Sequence, residues 1–405
     1  MLTALAWKNI WRSKRRSLII LAAITLGLWG GLVATGLTLG FTETYVNSAI
    51  DRDLTHLQIH TKAFKAEKLL ADHLPQADSI AAVVRRIPAV VEASPRMIVG
   101  AMASSAASSA MVRLYGVDPE AERRVTTVLA RVEEGVYLDS AGRMTVMIGE
   151  TLGKKLSLKL RSKLVLSFQG MDGSIVYGAF RIAGLYRTES SVFDGSIVFV
   201  RREDLASLVG SGSIAHEIAV RLTGSDDVGR TVDTLRTLYP GLLVEGWKDL
   251  APELRLTAES TQLMMSIFLG VTLFALLFGI TNTMLMSVLD RVREFGVLMA
   301  VGMHRIRLFR LIIMETTLLS VTGALTGMLL GGVTVALLGR GGIDLAWFSQ
   351  GLAYFGLPVM LYPVLPAYVY PELMGMVLVT AVVAAVYPAL KAVRLKPAAA
   401  IRSYG

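Results

Sequence analysis

Four long apolar runs constrain the fold of this chain more than any other feature of its sequence. Residues 17–41, 262–289 and 373–390 carry no charged side chain, and residues 311–339 carry only Glu315. About 20 helical residues cross the hydrocarbon core of a bilayer, so each run is long enough to form one transmembrane helix. The chain is 53% hydrophobic and only 18% charged, which is too apolar for an ordinary soluble protein. The sequence therefore predicts an α-helical membrane protein with four transmembrane helices.

A fifth uncharged stretch, residues 351–371, is not predicted to cross the membrane. It contains four prolines, which remove backbone hydrogen bonds that a lipid-exposed segment must keep. Its tyrosines suit the headgroup level of a bilayer, where an aromatic ring is half buried and half hydrated. We interpret residues 340–372 as an extracytoplasmic loop that contains an interfacial hairpin.

Basic residues indicate the orientation of the four helices. The basic amphipathic segment 1–16, the segment 290–310 and the tail 391–405 together hold fourteen basic side chains but only two acidic ones, Asp290 and Glu294. Four spans place these segments on one side of the membrane, and the positive-inside rule assigns that side to the cytoplasm. We therefore expect a multi-pass protein of the inner (cytoplasmic) membrane with cytoplasmic N- and C-termini. Because the net charge of +9 follows this topology, it gives no support to a nucleic-acid partner.

Residues 42–261 are predicted to lie on the opposite side and have the pattern of a folded domain. Runs such as HLQIH, MVRLYGV and SIVYGAFRIAGLY resemble β-strands, whereas QADSIAAVVRRI and DVGRTVDTLRTLY have helical spacing. About 220 residues can bury a hydrophobic core without disulfides, and the chain has no cysteine. The predicted fold class is thus a membrane protein with four transmembrane helices and an extracytoplasmic α+β domain.

The sequence does not predict catalytic chemistry. GETLGKK, residues 149–155, is one residue short of a phosphate-binding loop, and Lys155 stands where such a loop places Ser or Thr. His56 and His60 have no third ligand nearby in sequence, so packed or surface histidines are a better interpretation than a metal site. The sequence shows no nucleophile elbow. We therefore expect no catalytic residue, and no metal or other cofactor held by this chain.

Glycines inside the predicted helices recur at GxxxG spacing. They are Gly27 and Gly31, Gly36 and Gly40, and the run Gly323, Gly327 and Gly331. This spacing places small residues on one helical face and allows helix backbones to approach closely. One interpretation is the ordinary tolerance of membrane helices for glycine. The other is packing against a neighbouring span or a second subunit.

Residues 290–310 form a short basic segment between the second and third predicted spans. Phe295, Leu298, Met299 and Gly302 form an apolar helical stripe beside charged residues at 291, 293 and 294. Composition leaves two interpretations open. The segment is either an amphipathic helix on the membrane surface or a handle that a cytoplasmic partner binds.

Three segments of the chain follow the order of one known family. They are AWKNIWRSKRRSLIILAAITLG at the start, VREFGVLMAVGMHRIRLFRLIIMETTLLSVTGALTGMLLG in the middle and YPALKAVRLKPAAAIR at the end. Together they resemble the FtsX-like permease family of ABC transporters, of the MacB and lipoprotein-releasing type, over essentially the whole chain. The resemblance implies that residues 42–261 form a two-lobed MacB-like periplasmic core domain. One lobe would be built from segments at both ends, and the other inserted between them.

The resemblance also implies partners. Such permeases pair with a second permease, identical or homologous, and bind two copies of a cytoplasmic ATP-binding cassette (ABC) ATPase subunit, which holds ATP and Mg²⁺. ATP hydrolysis is expected in that separate subunit, so this chain is not expected to be an enzyme. Residues 290–310 would be the coupling helix that contacts the ATPase. The implied coupling residues are Arg291, Arg293, Glu294, Phe295, Gly296, Leu298 and Gly302.

Two further segments resemble the lipoprotein-releasing branch, IGETLGKKLSLKLRSKLVL and FRIAGLYRTESSVFDGSIVFVRREDLASLV. This implies a type VII, mechanotransmission-type permease that passes lipoprotein cargo to a periplasmic carrier. The alternatives are a mechanical regulator of an extracytoplasmic partner such as a cell-wall hydrolase, and an efflux permease of a tripartite pump. In this family the first two spans face the partner permease, so acyl chains of cargo or membrane lipid are expected between the subunits. The expected lining residues are Leu37, Leu39, Phe41, Met264, Met265 and Phe268.

Overall fold

The computed structural model describes residues 6–7, 12, 14–138, 142–210, 212–357 and 359–394. The chain divides into two compact units. The helical unit comprises Met1–Thr42, Glu259–Ile343 and Leu361–Gly405, and the core-domain unit comprises Glu43–Ala258 and Asp344–Met360. Parts of the predicted cytoplasmic segments 1–16 and 391–405 lie outside the described residues.

The α-helices are, in chain order, α1 (Lys14–Ala49), α2 (Lys62–Glu67), α3 (Ala77–Val84), α4 (Pro119–Val125), α5 (Glu150–Lys155), α6 (Ser191–Asp194), α7 (Arg202–Val209), α8 (Val228–Leu238), α9 (Trp247–Leu250), α10 (Pro252–Asp290), α11 (Val292–Ala300), α12 (Arg305–Gly341), α13 (Ser349–Phe355) and α14 (Val369–Val393). The strands are β1 (Leu57–His60), β2 (Val90–Ser104), β3 (Ser109–Val117), β4 (Val132–Gly135), β5 (Thr145–Gly149), β6 (Lys163–Gln169), β7 (Ile175–Tyr186), β8 (Ile197–Arg201), β9 (Glu217–Leu222), β10 (Leu243–Gly246), β11 (Ile343–Asp344) and β12 (Met360–Leu361).

Four helices of the described chain, α1, α10, α12 and α14, are long and apolar enough to cross a membrane. Each contains one of the four apolar runs seen in the sequence. A helix suits this role because it satisfies every backbone hydrogen bond within the segment, where lipid offers none. In the predicted extracytoplasmic loop, residues 340–372, the chain forms the short helix α13, while β11 and β12 pair as a two-stranded sheet.

The core of the helical unit is an apolar cluster shared by its long helices. Ile24, Leu28 and Leu32 of α1 belong to the same buried cluster as Ile312 of α12 and Leu373 of α14. α10 contributes less, since only a small share of its apolar segment is buried within this chain. Most of α10 is therefore left to face lipid or another protein.

The glycines of α12 lie against α1. A Cβ added to Gly327 would lie 2.9 Å from the carbonyl oxygen of Thr25, and one added to Gly331 would lie 2.9 Å from the Leu32 side chain. Gly323 completes the stripe, and its carbonyl oxygen accepts a hydrogen bond from the Thr25 hydroxyl at 3.2 Å. These three glycines therefore let two helix backbones of the same chain approach closely.

The four glycines of α1 differ in what they face. A Cβ added to Gly40 would lie 2.2 Å from the carbonyl oxygen of Tyr362, and one added to Gly36 would lie 2.9 Å from an α12 side chain. Gly27 is in ordinary contact with α10, at 3.4 Å. Within the described residues, nothing lies within 4 Å of the corresponding position at Gly31. Three of these glycines thus pack inside the chain, and a role for Gly31 in subunit pairing stays a prediction.

The core-domain unit is built on a ten-stranded sheet. Its order is β10-β1-β9-β2-β3-β8-β5-β7-β4, and β6 pairs with β2 and β7. The β3–β8 and β5–β7 pairs are parallel. The long strand β2 pairs through its first half with β9 and through its second half with β3.

Two hydrophobic clusters divide this unit into lobes. The first lobe contains β1, β9 and β10 with α3 and α8. The second contains the end of β2, β3 and β5 to β8 with α5 and α7. The first lobe comes from both ends of the unit, and the second is inserted between them. This confirms the two-lobed α+β domain predicted from the sequence.

Arg96 lies on β2 where the strand passes from one lobe to the other. Its guanidinium donates to both carboxylate oxygens of Glu122, at 2.6 and 3.1 Å, and to Glu217 at 2.9 Å. Burial alone would lower the pKa of Arg96, but the two carboxylates raise it, so the guanidinium remains charged. Since an unpaired charge would be costly at this depth, these contacts fix the junction between the lobes.

Candidate functional site

The loop between α10 and α12 is the segment predicted to contact an ATPase. α10 ends at Asp290, and α11 begins at Val292. After α11, the Met303 amide donates to the Leu298 carbonyl oxygen at 3.0 Å, and Gly302 adopts a φ of +101°. A residue with a Cβ would be strained there, so Gly302 permits the turn into α12.

Arg291 connects this loop to the interior of α12. Its Nη1 donates to both carboxylate oxygens of Glu315, at 3.0 and 3.1 Å, and its Nε donates to Glu294 at 3.1 Å. The guanidinium also lies 5.0 Å from the centroid of the Phe295 ring. The side chains of Arg291 and Glu315 are only 16% and 8% exposed. A carboxylate within a membrane helix needs a partner, and Arg291 supplies one.

The inward face of α11 packs on the helical unit. Phe295 and Gly296 are buried, and Leu298 packs against the apolar cluster shared by the long helices. Glu294, on the flank, also accepts a hydrogen bond from Arg12, which precedes α1. The loop is thus attached to the helical unit by apolar packing and by charge pairs.

The outward face of α11 leaves apolar side chains exposed. Val297 of α11 is 49% exposed and Val301, which directly follows α11, is 84% exposed; Arg293 lies on the same exposed face. Such a patch of exposed apolar side chains beside a charge is typical of a surface that another protein covers. Arg293 was predicted from the sequence and both valines were not, although their spacing of four residues places them on one helical face.

The predicted cargo-lining residues separate into two groups. Leu39 and Met265 line a cavity of about 70 Å³ formed by α1, α10 and α14, together with Leu32, Thr35, Gln262, Ser266, Leu269, Tyr368, Val369, Glu372 and Leu373. Met264 and Phe268 are exposed on the surface of α10, while Leu37 and Phe41 are partly buried on α1 and do not line this cavity. The structure therefore brings two of the six predicted residues into one cavity.

A second cleft, of about 560 Å³, lies in the core-domain unit and was not predicted. Its lining includes Asp53, Lys68, Arg113, Tyr115 and Glu217, which come from separate parts of the chain. The Tyr115 hydroxyl donates to Asp53 at 3.0 Å, and Glu217 is bound to the buried arginine of β2. The two acidic side chains of this lining, Asp53 and Glu217, therefore already have partners within the protein.

The histidines noted in the sequence are packed residues of the core-domain unit. His56 and His60 are both buried, and the His60 ring lies 2.8 Å from Glu245. Across the described residues, no group of three or more His, Cys, Asp or Glu side chains is placed to hold a metal ion.

Two family models match this chain. The MacB-like periplasmic core domain matches residues 17–238, and the FtsX-like permease C-terminal region matches residues 266–397. The chain is 21% identical over 417 residues to the lipoprotein-releasing system transmembrane protein LolC of Xylella fastidiosa (strain 9a5c), with 96% of each chain covered. It is 33% identical over 147 residues to the pyoverdine export ATP-binding/permease protein PvdT of Pseudomonas entomophila (strain L48), covering 36% of this chain and 20% of that protein. The solved periplasmic region of MacB from Actinobacillus actinomycetemcomitans aligns with a TM-score of 0.35 at 12% identity, covering 50% of this chain and 93% of that one.

Proposed function

This chain belongs to the MacB-like periplasmic core domain and FtsX-like permease family of ABC transporter permeases, and we propose that it releases lipoproteins from the inner membrane. The support for this cargo is the similarity to a lipoprotein-releasing transmembrane protein along nearly the full length of both chains. The similarity to an export permease supports efflux less, because it covers about a third of this chain.

The main support for a coupling mechanism is the ion pair between Arg291 and Glu315. A helix that only rested on the membrane surface would need no partner inside a span. Here the loop is bound to α12 by an ion pair in which Nη1 of Arg291 contacts both carboxylate oxygens of Glu315, while Val297 and Val301 are exposed on the other face of the loop. A partner that pushes on α11 therefore moves α12 with it. This arrangement supports a coupling helix rather than a surface-lying one.

The proposed complex contains two copies of an ABC ATPase, which bind ATP and Mg²⁺, and a second permease that is identical or homologous. The excess of basic residues in residues 1–16, 290–310 and 391–405 supports a cytoplasmic location for both termini. A periplasmic carrier would receive the released lipoprotein.

The cavity lined by Leu39 and Met265 is the proposed point of entry for an acyl chain. Methionine suits this role because its flexible, polarisable side chain adapts to apolar groups of different shape. Gln262, Ser266 and Glu372 add polar groups to the same lining. Because the cavity of about 70 Å³ holds only a few methylene groups, the site would contact the part of an acyl chain next to its polar linkage, as at the lipid-modified end of a lipoprotein.

Site-specific photo-crosslinking tests this proposal. A photoreactive residue at Met265 faces the cavity, and one at the neighbouring Met264, which is 66% exposed, serves as the matched control. In the reconstituted, nucleotide-free complex, position 265 should capture acylated lipoprotein, and position 264 should capture mainly phospholipid. Addition of ATP and carrier should reduce capture at position 265. Phospholipid labelling alone at both positions would contradict lipoprotein release and favour a mechanical regulator or an efflux permease.

A further inference from the structure

The segment Asp344–Met360 carries large aromatic side chains that the protein leaves uncovered. Trp347 is 97% exposed, Phe348 69% and Tyr354 67%. Residues 345–371 contain no charged side chain. Several exposed aromatic side chains on a run without charge are unusual for a surface in contact only with water.

This segment has a defined fold. The Leu345 amide donates to the Val359 carbonyl oxygen at 2.8 Å, and the Leu357 amide donates to the Leu352 carbonyl oxygen at 2.8 Å. Between these bonds lie a 3₁₀ turn, Ala346–Phe348, and α13. The aromatic side chains are therefore presented by an ordered element and not by an extended linker.

The same segment is attached to the core-domain unit, of which it is part. α13 packs against α6. After α13, Gly356 adopts a φ of +69°, and a Cβ there would lie 3.2 Å from Ser190. Arg52 lies next to this glycine and places its guanidinium 5.4 Å from the centroid of the Phe193 ring. One side of the segment is thus packed against the domain, while Trp347 and Tyr354 remain exposed.

Chain length restricts where these aromatic side chains can lie. The segment leaves α12 at Gly341, and Trp347 follows six residues later. Six extended residues span about 20 Å at most, so Trp347 stays near the membrane surface at which the span ends. Trp and Tyr are enriched at that level of a bilayer because their rings are apolar and their polar ends need hydration.

We infer that Asp344–Met360 is a membrane-binding foot of the periplasmic core domain, with Trp347, Phe348 and Tyr354 inserted among lipid headgroups of the periplasmic leaflet. The inserted rings and the packing at Gly356 would connect the domain to the bilayer surface. This connection would be additional to the helices α1 and α10, through which the chain enters and leaves the domain. This inference depends on the membrane location of the chain and not on its cargo.

Fluorescence of single-tryptophan variants tests the foot in the full-length protein. The chain has five tryptophans, and replacing the other four with phenylalanine leaves Trp347 as the only reporter. The protein is reconstituted into vesicles containing lipids brominated either near the glycerol end or near the bilayer centre. We expect at least about twofold stronger quenching by the shallow bromolipid than by the deep one, and little quenching by aqueous iodide.

Two matched variants calibrate this measurement. A variant that keeps only Trp29, at the middle of the first apolar run, should be quenched most by the deep bromolipid. A variant that keeps only Trp247, which is 8% exposed in the core-domain unit, should be quenched by neither lipid nor iodide. Quenching of Trp347 by iodide alone would overturn the inference because the ring would lie in water. Protection from all three quenchers would also overturn it, because a second copy or another protein would then cover the ring.

A spin label provides a second measurement that keeps all tryptophans. Because the chain has no cysteine, Tyr354→Cys can be labelled alone, with Ala107→Cys, on an exposed turn, as the aqueous control. At position 354 the label should be more accessible to oxygen than to a water-soluble nickel complex, and the reverse should hold at position 107. A label at position 354 with the same accessibility as the control would contradict the foot.

Discussion

Replacing Glu315 with glutamine tests whether the ion pair with Arg291 transmits motion from α11 to α12. Glutamine keeps the size of the side chain but removes the negative charge of the carboxylate, whose two oxygens accept hydrogen bonds from Arg291. The arginine then remains only 16% exposed, with Glu294 still 3.1 Å away. Removing one partner of a buried pair costs about 3–5 kcal/mol. Because Glu294 still offsets part of the charge, we expect the variant to be destabilised by about 2–3 kcal/mol.

The assay measures lipoprotein released per ATP hydrolysed by the reconstituted complex. Coupling free energies between distant sites are typically about 1–3 kcal/mol, which corresponds to about 5–150-fold. We therefore expect Glu315→Gln to lower release per ATP by about tenfold or more, while basal ATP hydrolysis changes by about twofold at most. The loss should appear in the coupling ratio because, in the proposed complex, the ATPase active site lies in another subunit.

A double variant separates coupling from stability. Replacing both Arg291 and Glu315 with leucine removes the charges together, and such replacements are often neutral or stabilising. The double variant should regain thermal stability, while its release per ATP stays low because the ion pair is still missing. Normal release per ATP in the stable double variant would refute the argument that this pair transmits motion.

Three further changes test the packing, the titration and the topology. Gly327→Ala should destabilise the helical unit by about 1–3 kcal/mol, since its Cβ would lie 2.9 Å from a carbonyl oxygen of α1; thermal unfolding in detergent measures this loss. Burial holds the pKa of His216 below its ordinary value of 6.5, so its ring is neutral in the folded domain and binds a proton on unfolding. The domain should therefore lose stability as the pH falls below about 6.5. His216→Gln should reduce this dependence of stability on pH. The control His73→Gln, which changes an exposed histidine, should reduce it less. An impermeant thiol reagent added outside should label Ala107→Cys but not His304→Cys; labelling of position 304 would contradict the proposed orientation.

The sequence predicted the spans well because lipid imposes a simple requirement on them. A long run of apolar residues can satisfy its backbone in a bilayer only as a helix, so composition alone located α12 and α14. α1 and α10 extend past their apolar runs, to Ala49 and back to Pro252. These extensions contain polar residues, such as those of ETYVNSA and PELRLTAEST. The change in composition marks the end of the apolar run but does not end the helix.

The sheet of the core-domain unit was less predictable. Alternating runs identified β1, β3 and β7 as strands, but no local pattern indicates that β2 serves both lobes. That arrangement depends on pairing with β9 and β3, which lie on either side of it in the sheet. Nor did the sequence indicate the buried contact between Arg96 and Glu217, which are 121 residues apart. Such contacts are fixed by the packing of the whole domain and not by nearby residues.

The segment predicted to be the coupling loop was chosen from its local sequence, but its attachment to α12 was not predicted. Glu315 was noted only as the one charge in an otherwise uncharged run. Because an ionised residue within a membrane helix needs a partner, that charge predicts a contact with one of the basic residues of the adjoining loop. Glu315 follows the start of α12 by ten residues, whereas Arg291 directly follows the end of α10, so the two side chains meet only through the packing of α10 and its loop against α12. Gly302, with a φ of +101°, lies between them in the chain and permits the turn from α11 into α12, although no sequence motif joins this glycine to either charged residue.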